Sequence, residues 1–208
     1  MNSVRAVLFD VDGTLVDAIA GQRRIWARWA TEFGLDPAIV YDVALRARPI
    51  DTAVEVLPGR DPVAAAVRFD ELEDEDAAYG PVHAVEGAAA LLAALADHRW
   101  GLVTSNAERR VVRRFERLGL PLPGVIVDNR ATRLGKPAPD PFLHGAGRLG
   151  VPAEGCLVIE DSPSGVAAGI AAGMTVWSVN REEPVPGSDR HYRALADAAA
   201  DILAFVAG

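Results

Sequence analysis

The sequence predicts an α/β protein, a doubly wound parallel sheet interrupted near its start by an all-helical insertion. Three observations predict it. From residue 88 onward, short apolar runs alternate with helix-like stretches, the pattern of a parallel sheet with helices on both faces. An isolated apolar run, Val4 to Phe9, opens the chain and belongs with that set. Between the two, residues 17 to 80 carry helical patterning and no convincing strand. The expected boundaries are 1–16 with 82–208 for the α/β core and 17–81 for the helical insertion.

Val4 to Phe9 is apolar enough for a strand buried on both faces. After Gly13-Thr14 the period changes: Ile25, Trp26, Trp29 and Phe33 form a stripe at three- and four-residue spacings, and Gly34 is a helix stop. Pro37 begins a second helix, which Pro49 is expected to end, and Asp51 is expected to cap a short third one before Pro58-Gly59. Pro62 to Tyr79 is helical and contains the acidic run Asp70 to Asp76, read as a solvated helix face. Gly80-Pro81 punctuates the chain. Beyond it, strands are expected at 99–103, 124–127, 156–159 and 174–179, and helices at 88–95, 107–118, 140–149, 165–172 and 195–206. Gly119 and Gly150 close two of those helices. An insertion after the first strand belongs over the carboxyl end of the sheet, where a lid would act.

Composition narrows the function. Half of the 208 residues are apolar, so a folded globule is expected. A net charge of −8 argues against nucleic acid or an anionic membrane as the main partner. The single cysteine, Cys156, precedes an apolar run and reads as a buried thiol in a reducing compartment. No signal peptide precedes the first strand and no apolar stretch is long enough to span a bilayer, so a cytoplasmic protein is expected.

The chemistry-bearing residues fall at strand ends. Asp10 and Asp12 follow the first strand two positions apart, and Gly13 turns the chain out of it. Two carboxylates so close need a cation between them or a proton on one. Thr104-Ser105-Asn106 follows the second strand; its hydroxyls and helix-start N–H groups suit an anion, although Ser105 to Glu108 equally fits a capping box that needs no ligand. Lys136 lies in a stretch stiffened by Pro137, Pro139 and Pro141. Glu160-Asp161-Ser162 follows a buried strand, and Ser162-Pro163 suits N-cap and N1 of the next helix. Together these supply hard oxygen ligands for Mg²⁺ in Asp10, Asp12 and Asp161, and phosphate donors in Thr104 and Lys136. The inventory is one for phosphoryl transfer.

Phe9 to Leu15, Val103-Thr104-Ser105, Gly135-Lys136-Pro137 and Glu160-Asp161-Ser162 resemble, in order, the four motifs of the haloacid dehalogenase (HAD) superfamily of phosphohydrolases. Further stretches, including Lys136 to Leu143 and Ala171 to Met174, resemble its sugar- and glycerol-phosphate phosphatases. The resemblance implies a HAD-like Rossmannoid core with a helical C1 cap, and a Mg²⁺-dependent phosphatase hydrolysing a small phosphorylated sugar or polyol through an aspartyl-phosphate. It makes Asp10 the nucleophile and Asp12 the acid and then base. Mg²⁺ would be held by Asp10, Asp161 and the Asp12 carbonyl, with Glu160 a direct or water-mediated helper. Thr104, Ser105, Asn106 and Lys136 would hold the phosphoryl group. In the cap, Arg46 and Arg48 are the expected substrate contacts, although Arg46-Ala47-Arg48-Pro49 stands where related phosphatases carry a Gly-Arg pair. Arg130-Ala131 stands where they tend to be acidic.

A phosphomutase on the same scaffold is the near alternative. A signalling receiver domain also uses an acceptor aspartate, an acidic pair and a lysine, but without a helical block after the first strand. A catalytically silent binding protein sits poorly with acids at every motif. The substrate and the oligomeric state are not readable from the sequence.

Overall fold

The computed structural model describes residues 4–45 and 47–208 and divides into two units, one running to Asp17 and resuming over His83–Gly208, the other Ala18–Val82. The chain begins with β1 (Ala6–Phe9) and leaves the first unit through the short β2 (Val16–Asp17). The second unit follows as α1 (Ile19–Glu32), α2 (Pro37–Ala44), α3 (Pro49–Val56) and α4 (Pro62–Tyr79). The chain re-enters through β3 (His83–Ala84) and continues with α5 (Ala88–Ala94), β4 (Trp100–Val103), α6 (Glu108–Leu118) and β5 (Ile126–Val127). It ends with α7 (Asp140–Leu149), β6 (Cys156–Glu160), α8 (Pro163–Ala171), β7 (Thr175–Val179), β8 (Arg190–Tyr192) and α9 (Leu195–Ala207).

The main sheet has the order β5-β4-β1-β6-β7-β8, with every neighbouring pair parallel. Chain order reverses between β1 and β6, which makes the carboxyl end of that pair a topological switch point, where open α/β sheets bind ligands. β1 is buried at all four positions because side chains alternate between two covered faces. Ala6, Leu8 and Val158 pack with Phe142 of α7 and Val166 of α8 on one face. Trp177, one residue on from Val176 of that cluster, points the other way and meets Phe205 of α9 at 6.2 Å. Small residues let these helices approach the sheet. A Cβ at Gly145 would press on Leu8 and Val103, and one at Gly169 on Val176.

The helical unit has its own core. Trp26 stacks on Phe69 at 4.0 Å, and the buried Trp29 donates its indole N–H to the Ala65 carbonyl at 2.9 Å. Pro49 does not end the second helix: α2 stops at Ala44, and Pro49 is the first residue of α3, where its missing N–H costs nothing. Asp51 is not a cap either; it lies in the first turn and accepts from Arg48 at 2.7 Å. The acidic run is less solvated than expected, because Asp76 pairs with Arg24 and Glu71 and Glu75 with Arg68, tying α4 into an ion-pair network with α1.

The β2–β3 ribbon, antiparallel with Val16 opposite Ala84, and the edge strand β8 carry no apolar period and were not expected. Cys156 is fully buried, and burial pushes its thiol up to about 11. Among the described residues, no helix is long and apolar enough to cross a membrane.

Candidate active site

The parallel register sets the site. Phe9 is level with Leu102 on one side and Ile159 on the other, so Asp10, Val103-Thr104 and Glu160 emerge at one height. Asp10, 7% exposed, is fixed by its N–H donating to the Ile159 carbonyl at 3.0 Å. The Lys136 side chain is only 4% exposed although it sits in a loop. Its ammonium donates to Asp10 Oδ1 at 2.7 Å, to Glu160 Oε1 at 2.7 Å and to the Val103 carbonyl at 2.9 Å. The Lys136–Pro137 peptide is cis.

Glu160 is fully buried, and its second oxygen accepts from the N–H groups of Asp161 and Ser162 and from the Ser162 hydroxyl. Ser162 is also the N-cap of α8, accepting from the Gly165 N–H at 3.1 Å. Gly165 leaves no room for a Cβ, which would collide with the Glu160 carboxylate. Gly13, at φ +95°, also lies too close to the Asp161 carboxylate for a Cβ. Both glycines are required by close approach, and Gly13 by its backbone as well.

One carboxylate oxygen from each of Asp10, Glu160 and Asp161 lies within 4.8 Å of the other two. Two of these carboxylates share the Lys136 ammonium and the third lies beside them, and the electrostatics follow. Burial raises the Asp10 carboxyl well above the usual range; Lys136 opposes this, while Glu160 and Asp161 add to it. Burial and then Glu160 raise Asp161 to about 6. Burial alone would lower Lys136, but the charges of Asp10 and Glu160 hold its ammonium above the ordinary lysine value.

Thr104 is buried, and its hydroxyl oxygen accepts from the Asn106 N–H at 3.0 Å. Ser105 is exposed and lines, with Thr104, Gly135 and Lys136, a cavity of about 90 Å³. The capping box from Ser105 to Glu108 does not form: Ala107 is the N-cap of α6, and the Glu108 N–H donates to Asp128 Oδ2 instead. Asn106 turns its amide toward Asp12 Oδ2 at 3.3 Å, and its Oδ1 accepts from the Ala107 N–H and Arg110.

The Asp12 carboxylate lies outside the metal-ligand cluster and pairs with Arg114 of α6 at 2.7 Å. Arg114 was missed by sequence reasoning, because arginine in a charged helix reads as solvent-facing. A signal was available: Arg110 and Arg114 are four apart and share the buried stripe of Val111 and Phe115. Asn180 was missed too; its amide donates to the Gly13 and Thr14 carbonyls at 2.8 and 3.0 Å, holding the turn after Asp12. Arg48, in the helical unit, has a side chain 80% exposed and paired with Asp51. Arg46 lies outside the described residues.

A buried aspartate at the switch point of a parallel sheet, bridged by lysine to a second acid and followed two residues on by another, is the arrangement at the centre of a hydrolase fold. The family model for haloacid dehalogenase-like hydrolases matches residues 4–173, and the chain belongs to that family. It is 37% identical to hexitol phosphatase A of Escherichia coli (strain K12), over 88% of this chain and 86% of that protein. It is 34% identical to glycerol-1-phosphate phosphohydrolase 2 of Saccharomyces cerevisiae, over 85% of this chain and 74% of that one. Among solved structures, a HAD family hydrolase from Deinococcus radiodurans R1, crystallised with bound phosphate and sodium, superposes with a TM-score of 0.69 at 28% identity, covering 98% of each chain.

Proposed function

We propose that the protein is a Mg²⁺-dependent phosphatase that hydrolyses a small phosphorylated sugar or polyol through an aspartyl-phosphate, with residues 18–82 serving as its cap. One observation carries this reading: Lys136 bridges Asp10 and Glu160 with Asp161 alongside, while the acid two residues on, Asp12, is held apart from them. The sugar and polyol class is supported by the likeness to the hexitol and glycerol-1-phosphate enzymes.

The residues fit a small hard cation. Asp10 and Asp161 offer carboxylate oxygens within reach of one another, and the glycine at position 13 keeps the Asp161 carboxylate clear of a side chain. Asp10 and Asp161 would hold Mg²⁺ with the Asp12 carbonyl; Glu160, saturated by Lys136 and the 161–162 loop, would orient that set. When bound, the cation supplies charge that cancels the repulsion between carboxylates and a phosphate dianion.

The protein's own residues carry the steps. Asp10 Oδ1 is held by Lys136, and the other oxygen attacks phosphorus; a new O–P bond forms as the bond to the alcohol oxygen breaks. Asp12 gives its proton to the departing alkoxide. Lys136 and the Thr104 hydroxyl bear the charge of the transferring group, with Ser105 at the rim of the same cavity. Asp12, now a base, takes a proton from water as it attacks the aspartyl-phosphate, freeing phosphate and restoring Asp10. Arg48 is our candidate on the helical unit for contacts to the substrate's hydroxyls.

A panel of phosphorylated sugars and polyols, assayed for phosphate release with Mg²⁺ and with excess chelator, tests the reading. Steady release from at least one, abolished by the chelator and restored by Mg²⁺, is expected. Transfer of the phosphoryl group within a sugar without steady release would make the protein a mutase, and undiminished release in chelator would remove the metal from the Asp10–Asp161 cluster.

A further inference from the structure

We infer that Arg114 is a positioning residue for Asp12, holding that carboxylate away from the metal-ligand cluster and in one plane for proton transfer; the inference rests on the phosphatase reading above. Arg114 is 7% exposed, one helical turn beyond Arg110 on the buried stripe of α6. A buried guanidinium is costly unless it is paired, so its partner explains its place. That partner is Asp12 Oδ1, at 2.7 Å. The other oxygen, Oδ2, accepts from the Asn106 amide at 3.3 Å, and Asn106 is itself steadied by the Ala107 N–H at 2.9 Å and Arg110 at 3.3 Å. Both oxygens are thus gripped from the loop that follows β4 and the helix it leads into.

The grip matters because of what lies two residues away. Lys136 and a divalent cation both attract carboxylates, and Asp12 follows Asp10 on the same short stretch of chain. A free Asp12 side chain would be drawn toward that positive charge and would compete as a ligand. Held by Arg114 and Asn106, it stays outside the group formed by Asp10, Glu160 and Asp161. It is then placed to meet the leaving oxygen in the first step and water in the second. Arg114 touches neither, and acts only through Asp12.

A structural ion pair and a positioning pair differ in one readout, the dependence on the leaving group. An alkoxide needs a proton from Asp12, whereas p-nitrophenolate departs without one. kcat/KM reports phosphoenzyme formation with both substrates, so it is measured for the best sugar or polyol phosphate and for p-nitrophenyl phosphate in wild type, Arg114→Met, Arg114→Lys, Asp12→Asn and Asp12→Asn/Arg114→Met. Arg114→Met should lose about 10²-fold on the alkyl phosphate and less than about 5-fold on the aryl one. Arg114→Lys, which keeps the charge but not the fork, should recover part of the selective loss. It carries the same comparison if the methionine variant does not fold. In the Asp12→Asn background, Arg114→Met should change kcat/KM less than about 3-fold. Equal losses on the two substrates, or full additivity in the double variant, would overturn the inference. Wild-type protein that releases no phosphate from any substrate would instead overturn the phosphatase reading itself.

Discussion

At Asp161 the folded protein holds a proton more tightly than the unfolded chain does, with a pKa of about 6 against 3.8, because of burial and then Glu160. A carboxyl raised in this way contributes stability that is complete below pH 3.8 and is lost as pH rises through about 6. Above that, the Asp161 carboxylate stands charged beside Asp10 and Glu160, the two that pair with Lys136. A divalent cation should reverse the balance, because it binds the folded cluster in competition with that proton. Thermal melts should therefore show Mg²⁺ raising Tm by a few degrees near pH 8 and by distinctly less near pH 5. Asp161→Asn should remove most of the difference. A shift of equal size at both pH values, or one undiminished in Asp161→Asn, would mean that the cation binds elsewhere.

At the level of elements, α8 shows how a helix start is built around a carboxylate. Ser162 caps it while donating to Glu160, and Gly165 lies flat against the same carboxylate. Gly165→Ala should displace Glu160 and with it Lys136; misplacement of about 1 Å is enough to lower kcat/KM by about 10²-fold. Gly147, exposed on α7 with nothing within 4 Å of a built Cβ, is the control. Gly147→Ala should leave activity intact and add about 0.5–1 kcal/mol of stability. If both variants lose activity alike, close packing on Glu160 is not the reason for glycine at 165. Much of this layer was legible in the sequence. Gly119 and Gly150 do end α6 and α7 in the left-handed conformation, and Ser162-Pro163 does open α8. The ribbon of Val16-Asp17 with His83-Ala84 was not, because two-residue strands of mixed polarity have no period to detect. Nor was the pairing of Arg114: its spacing from Arg110 beside Val111 and Phe115 marks the buried face, but nothing in the helix names Asp12 as the partner.

On the scale of the whole molecule, the strand order brings residues 10, 104, 136, 160 and 161 to one end of the sheet from widely separated places in the chain. That order was implied only as a class by the alternation of strands and helices. The placement of β1 between β4 and β6 is what turns four separated motifs into one cluster. Asp10 should be phosphorylated during turnover, and the Asp12→Asn variant shows this without the second step. Lacking the base that activates water, it should accumulate phosphoenzyme from p-nitrophenyl phosphate and release about one nitrophenol per active site before stalling. After an acid quench, peptide mass spectrometry should place the phosphoryl group on Asp10, and Asp10→Asn should give no burst at all. A burst that survives in Asp10→Asn, or a phosphoryl group found on any other residue, would rule out Asp10 as the nucleophile.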